Sequence, residues 1–197
     1  MSLADVVITD ITVMSDLVTH HIPNEDYRMS RPSSLEREIT IQPHEFIVSK
    51  TDTKGRITYC NELFINISGY SEEELLGKAH ALVRHPDMPK AVFKLLWERI
   101  QAKEEIFAYV KNLSKDGRYY WVFANVTASL DNLGNIIGYY SVRIKPHEGA
   151  VATISALYQE MIRIEQREGV EGSLHYLNTL LDEKGVCYDA FIIALQG

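Results

Sequence analysis

Beyond Glu104 the hydrophobic pattern of the chain settles into a period of two. EIFAYVKNLSKDGRYYWVFANVTASL reads as two long strands joined at Lys115-Asp116-Gly117, a hairpin turn. After DNLGN a third strand follows, IIGYYSVRIKP. Upstream, FIVSKTD and RITYCN flank TKG as a second antiparallel pair. Five strands with a helical stretch inserted after the second predict an α+β fold built on one antiparallel sheet.

The inserted stretch breaks into short pieces. Gly69 and Gly77 punctuate NELFINISGYSEEELLGK, and Ser71 stands three residues ahead of Glu74, the spacing of a capping box. RHPDMPKAVFKLLW then opens the longest helix of this half, Pro89 to Gln101. Asp87 is the expected cap and Pro89 suits the first turn. Val92, Phe93, Leu96, Trp97 and Ile100 form its apolar face.

Both ends read as helical extensions. In the first segment Val7, Ile11, Met14 and Val18 share a helical face, although alternation at Val6 and Ile8 keeps a strand open; His20 to Ser34 reads as a linker. At the other end Ile154, Leu157, Met161 and Ile164 recur at the spacing of a helix that packs on another helix. SLHYLNTLLDEKG is expected to follow as a further helix, capped by Ser173 and stopped by Gly185, with Val186 to Gln196 either strand or helix. The boundaries predicted are 1–42 for the N-terminal extension and linker, 43–146 for the central domain and 147–197 for the C-terminal extension.

Charge and cysteine usage narrow the function. A net charge of -7 with no basic stripe argues against a dedicated nucleic-acid binder. Cys60 and Cys187 form neither a metal knuckle nor a haem attachment motif and read as reduced thiols, which fits a cytoplasmic protein. The run AFIIAL is too short to span a bilayer, and no basic stretch precedes an apolar one at the N-terminus, so neither membrane insertion nor a signal peptide is expected. GxSxG, HExxH and phosphate-binding glycine loops are missing, and no catalytic or metal-ligating set is predicted.

The order strand-strand, short helices, longer helix, three-strand meander resembles a PAS domain, over about Phe46 to Lys145. ITYCNELFINISGY, SEEELLG, KDGRYYWV and IIGYYSVRIK are similar to the PAS words of sensory proteins. ALVRHPDMPKAVFKLLW followed by VKN and YYWV is similar, more narrowly, to the FAD-binding PAS domain of bacterial aerotaxis receptors. The resemblance implies a PAS fold with short helices on one face of the sheet, a non-covalent FAD between the two layers, and a redox or oxygen sensor for signal transduction. Its binding residues carry over to Arg84, His85, Asp87, Trp97 and Asn112, with Asn61 as a sixth. It also implies a signalling partner, such as a chemotaxis transducer or a fused output domain, and a homodimer formed through the flanking helices.

Each candidate has a plainer role. A buried Arg or His is costly unless paired, so Arg84 and His85 serve either as internal glue or as the cationic mouth of a pocket. A cation about 4 Å from a reduced flavin contributes about 4 kcal/mol at an effective dielectric of 20. Trp97 is core packing or a ring contact, Asn112 turn chemistry or a flavin-facing amide, and Asn61 a helix cap first. Haem is the rival cofactor, with His80 or His85 as ligand. No cysteine lies between Asn61 and Trp97, which argues against adduct photochemistry. The third reading is a ligand-free docking module whose interior is filled by Leu82, Val83, Met88, Phe93 and Phe107.

Overall fold

Residues 32–197 are described in a computed structural model of the chain, and the expected N-terminal helix and most of the linker lie outside them. Alternation after Glu104 yields β3 (Ile106–Leu113), β4 (Tyr119–Leu130) and β5 (Ile136–Ile144); the earlier pair is β1 (Ile47–Thr51) and β2 (Ile57–Cys60). All neighbours are antiparallel, in the spatial order β2-β1-β5-β4-β3. The last strand, β5, is therefore central, between the first strand, β1, and β4, and β2 and β3 form the edges.

Four helical pieces follow β2: α1 (Glu62–Ser68), α2 (Glu72–Leu75), a 3-10 turn (His80–Val83) and α3 (Lys90–Gln101). Asn61 caps α1 and Gly69 ends it in the left-handed conformation. The Ser71–Glu74 capping box forms in full. These pieces cover one face of the sheet, where Phe64, Ile67, Leu75, Val83 and Val92 pack with Ile47, Ala108, Val110, Val122 and Ala124. The side-chain period of two assigns that inner face to even-numbered residues of β3 and β4 and odd-numbered residues of β1 and β5.

α4 (Glu148–Lys184) and α5 (Tyr188–Gln196) close the chain, so Val186 to Gln196 resolves as mainly helix. α4 is two helices that meet at Gly169, whose φ of 75° and ψ of -175° are not helical and whose positive φ a side chain would resist. The expected break between two C-terminal helices is thus present, but it falls at Gly169, and Ser173 is fully buried inside the second helix with its hydroxyl making no hydrogen bond among the described residues. Gly185 ends it as anticipated, in the left-handed region. Tyr158 donates to the carbonyl of Tyr109 at 2.9 Å and stacks obliquely near Trp121, covering the outer face of β3 and β4. Gln196 accepts from the Tyr109 hydroxyl at 3.0 Å, and Arg99 pairs with Asp189 at 2.7 Å, fastening α5 to β3 and α3. No described helix is long and apolar enough to cross a membrane.

Candidate functional site

The RHPD segment is stitched to the edge strand. Arg84 and Asn112 form an antiparallel bridge, and the His85 amide donates to the carbonyl of Lys111 at 3.2 Å. Asp87 does not cap α3: its carboxylate takes the Lys111 ammonium at 2.7 Å and lies 3.4 Å from His85 Nδ1. An ammonium held across the chain outcompetes the helix amides for that carboxylate. The N-cap position falls to Pro89, whose side chain carries no acceptor, and the first amides of α3 are met instead by Glu165 of α4.

Four candidates, Arg84, His85, Asp87 and Asn112, thus converge at one edge of the sheet. Arg84 lies with its guanidinium 3.6 Å from the centre of the Phe93 ring. His85 is buried; its Nδ1 accepts from the Asp87 amide at 3.1 Å and its Nε2 meets the Ser34 hydroxyl at 2.6 Å. Asn112 is buried on the inner face, cross-strand from Tyr120.

Trp97 and Asn61 lie elsewhere. Trp97 makes an edge contact with Tyr139, and a Cβ at Gly55 would come within 3.0 Å of its indole. Asn61 is occupied at three points: Oδ1 accepts from the amides of Val48 and Phe64, at 3.0 and 3.2 Å, while Nδ2 donates to the carbonyl of Phe46 at 2.7 Å. Its amide joins β1 to α1.

The inner face also holds polar residues that motif reading passed over. Arg143, 6% exposed, projects from β5, where Nη2 donates to Ser49 Oγ at 2.8 Å and to His80 Nε2 at 2.7 Å. Its Nη1, the Tyr120 hydroxyl and the Ser141 Oγ are buried without a hydrogen-bond partner among the described residues. His80 keeps part of its surface exposed, yet its imidazole is enclosed, stacked on Phe64 with ring centres 5.5 Å apart. Burial first, then the charge of Arg143, holds His80 down to about 3, so it is neutral. Burial likewise lowers Arg143 to about 10 and pushes the Tyr120 phenol up.

The docking-module expectation that Val83 and Met88 fill the interior agrees with their burial, with Leu82, Phe93 and Phe107 partly buried around the core. Two surface clefts, of about 430 and 210 Å³, lie elsewhere, where the segment before β1 meets the β5–α4 junction. Among the described residues no His, Cys, Asp and Glu cluster is arranged to hold a metal ion.

Comparison with known proteins agrees with this architecture. A family model described as "PAS fold" matches residues 57–143. The aerotaxis receptor of Escherichia coli K12 is 36% identical over 132 residues, covering 67% of this chain and 26% of the receptor. The nitrogen fixation regulatory protein of Klebsiella pneumoniae is 26% identical over 96 residues, covering 49% of this chain and 19% of that protein. A biofilm dispersion protein of Pseudomonas aeruginosa is 29% identical over 87 residues, covering 44% of this chain and 21% of its own length. The chain therefore spans about a quarter or less of these relatives. Among solved structures, the dark-state LOV domain of the photoreceptor Aureochrome1 aligns with a TM-score of 0.48 and 26% identity, over 60% of this chain and 86% of that one. Sequence match, strand order and the helical insertion after the second strand agree that residues 57–143 of this chain have the PAS fold.

Proposed function

We propose that this PAS domain binds a flavin, as FAD, between its sheet and helical layer and serves as a redox or oxygen input module of a signalling protein. The observation that carries the reading is the seam between Arg84–His85 and Lys111–Asn112, which gathers four of the six candidate residues at one edge of the inner face. Similarity to an aerotaxis receptor supports the same cofactor class.

The polar groups of the interior suit such a ligand. Arg143 Nη1, Tyr120 and Ser141 are donors without acceptors, and a flavin offers carbonyl oxygens and ring nitrogens. Arg84 and His85 would hold its edge, Asn112 would face the ring, Asp87 fixes the loop through Lys111, and Trp97, away from that seam beside Tyr139, would close the far side. When bound, the flavin supplies reversible electron acceptance; the chain supplies orientation, exclusion of water and a fixed positive charge. Phe64 lies against both His80 and Arg143 from the helix side, so admission of a planar ring requires that side chain to move.

Haem is less well served. His80 Nε2 already accepts from Arg143, and both nitrogens of His85 are hydrogen-bonded, so neither imidazole offers a free lone pair to iron. The output we assign is a change in hydrogen bonding at Asn112, carried through α3 to α4 and on to a transducer or fused output domain. In this reading residues 43–146 are the sensor, 147–197 the output-side extension, the module works as a cytoplasmic homodimer, and it is non-catalytic. Heat release of the bound small molecule from purified protein, followed by mass spectrometry, tests the cofactor. FAD is expected; a stoichiometric porphyrin would overturn the assignment.

A further inference from the structure

Arginine is almost never fully buried unless paired, because an enclosed cation without a counter-charge is costly. Arg143 is nonetheless 6% exposed, and no carboxylate forms an ion pair with it among the described residues. Its neighbours are neutral: the Ser49 hydroxyl at 2.8 Å, His80 Nε2 at 2.7 Å, and the Phe64 ring, whose centre lies 5.4 Å from the guanidinium carbon. Nη1 has no acceptor. A role confined to stability would be served better by a well-packed apolar side chain.

The surroundings are one-sided as well. To accept from Arg143, His80 must be the neutral tautomer with its proton on Nδ1, so a protonated His80 would lose the bond and face a second cation. Ser49 Oγ lies 3.2 Å from the same Nε2, which fixes the ring from a second direction. Ser141, directly cross-strand from Ser49, and Tyr120 on β4 add hydroxyls without partners to the same face. The Ser141 and Tyr120 hydroxyls can donate or accept, whereas Arg143 Nη1 can only donate, so the component this face lacks is an acceptor for that group.

We propose that Arg143 is a ligand-contacting residue of the PAS interior, aimed by His80 and Ser49 as positioning residues, and that it selects a ligand with an electron-rich, acceptor-bearing edge. The assignment rests on the flavin reading above and adds to it a cation that the RHPD motif does not contain. In a flavin the acceptors are either the ring carbonyls or the phosphates.

The test compares wild type with Arg143→Met, unbranched and uncharged, and Arg143→Lys. Each is freed of flavin, its thermal midpoint recorded, and then titrated with FAD, FMN and riboflavin. Arg143→Met is expected to raise the midpoint of the flavin-free protein and to weaken FAD binding by about tenfold or more, the loss typical of a hydrogen bond to a charged group. Arg143→Lys is expected to fall between the two. Weakened riboflavin binding as well assigns Arg143 to the ring, whereas a loss confined to FMN and FAD assigns it to phosphate. Unchanged binding of all three flavins overturns the Arg143 assignment and leaves the flavin reading standing. A lower midpoint in both variants makes Arg143 a structural residue and overturns it too. Wild-type protein that takes up none of the three flavins ends both readings.

Discussion

Glu165, on the long C-terminal helix, accepts a hydrogen bond from the backbone amide of Ala91 at 2.7 Å and a second from Lys90 at 3.1 Å. One carboxylate thereby satisfies two of the amides that every helix N-terminus leaves without intrahelical partners, at the positive end of the α3 dipole. Lys94, one turn further along α3, pairs with Glu98 and reaches across to Glu171. Together with Arg99–Asp189, these contacts tie the helix opened by the RHPD motif to both C-terminal helices.

Loss of this cap is measurable. Glu165→Ala is expected to cost about 1 kcal/mol, the usual value of a helix cap, and Glu165→Gln roughly half that, since the amide oxygen still accepts. Urea denaturation reads the cost, and hydrogen exchange should show α4 amides between residues 160 and 184 opening sooner in the Ala variant. Unaltered stability and exchange would mean that α4 does not use this contact.

Acid should destabilise the protein before its carboxylates titrate. His80 ordinarily takes a proton near pH 6.5, but in the fold it stays neutral down to about pH 3. Between those values the unfolded chain binds the extra proton, so stability rises with pH and falls on acidification, by about 1.4 kcal/mol per pH unit at most. Denaturation midpoints at pH 7 and pH 5 should differ for wild type and converge for His80→Gln. An equal acid loss in both would assign the effect to other groups.

Asn61→Ala is expected to destabilise by about 2 kcal/mol, because two amide donors lose their acceptor and the Phe46 carbonyl its donor. The same variant should bind flavin unchanged at a temperature where it is folded. A selective loss of flavin with normal stability would return Asn61 to the binding site.

Asn112→Ala and Trp97→Phe are expected to behave in the opposite manner, with lower flavin retention on purification and a largely intact fold. Far-UV circular dichroism and the ratio of flavin to protein absorbance separate the two effects. Normal flavin occupancy in both variants would remove these residues from the site.

The strands, the hairpin at Lys115-Asp116-Gly117, the Ser71 capping box and the Gly185 stop were legible because each is decided by neighbours in sequence. Asp87 was not, since its carboxylate chooses between nearby helix amides and an ammonium 24 residues away, and the ion pair prevails. Nothing around Pro89 announces that Glu165 will cap α3 from 74 and 75 residues further on. The break between the two C-terminal helices was legible but misplaced: it falls at Gly169, about one turn ahead of Ser173, which lies inside the second helix. Arg143 escaped notice for the most instructive reason. In IIGYYSVRIK the apolar residues Val142 and Ile144 suggest the buried face, but pairing of β5 with β1 and β4 turns Ser141 and Arg143 toward the helices. A charged side chain on the inner face of a strand shows itself only once register is known.

The absorbance spectrum of the purified, flavin-reconstituted protein, taken before and after dithionite, bears most directly on the central claim. Flavin bands that bleach on reduction and return in air are the predicted result. Protein that stays colourless after incubation with FAD or FMN, or that shows a Soret band, would contradict it.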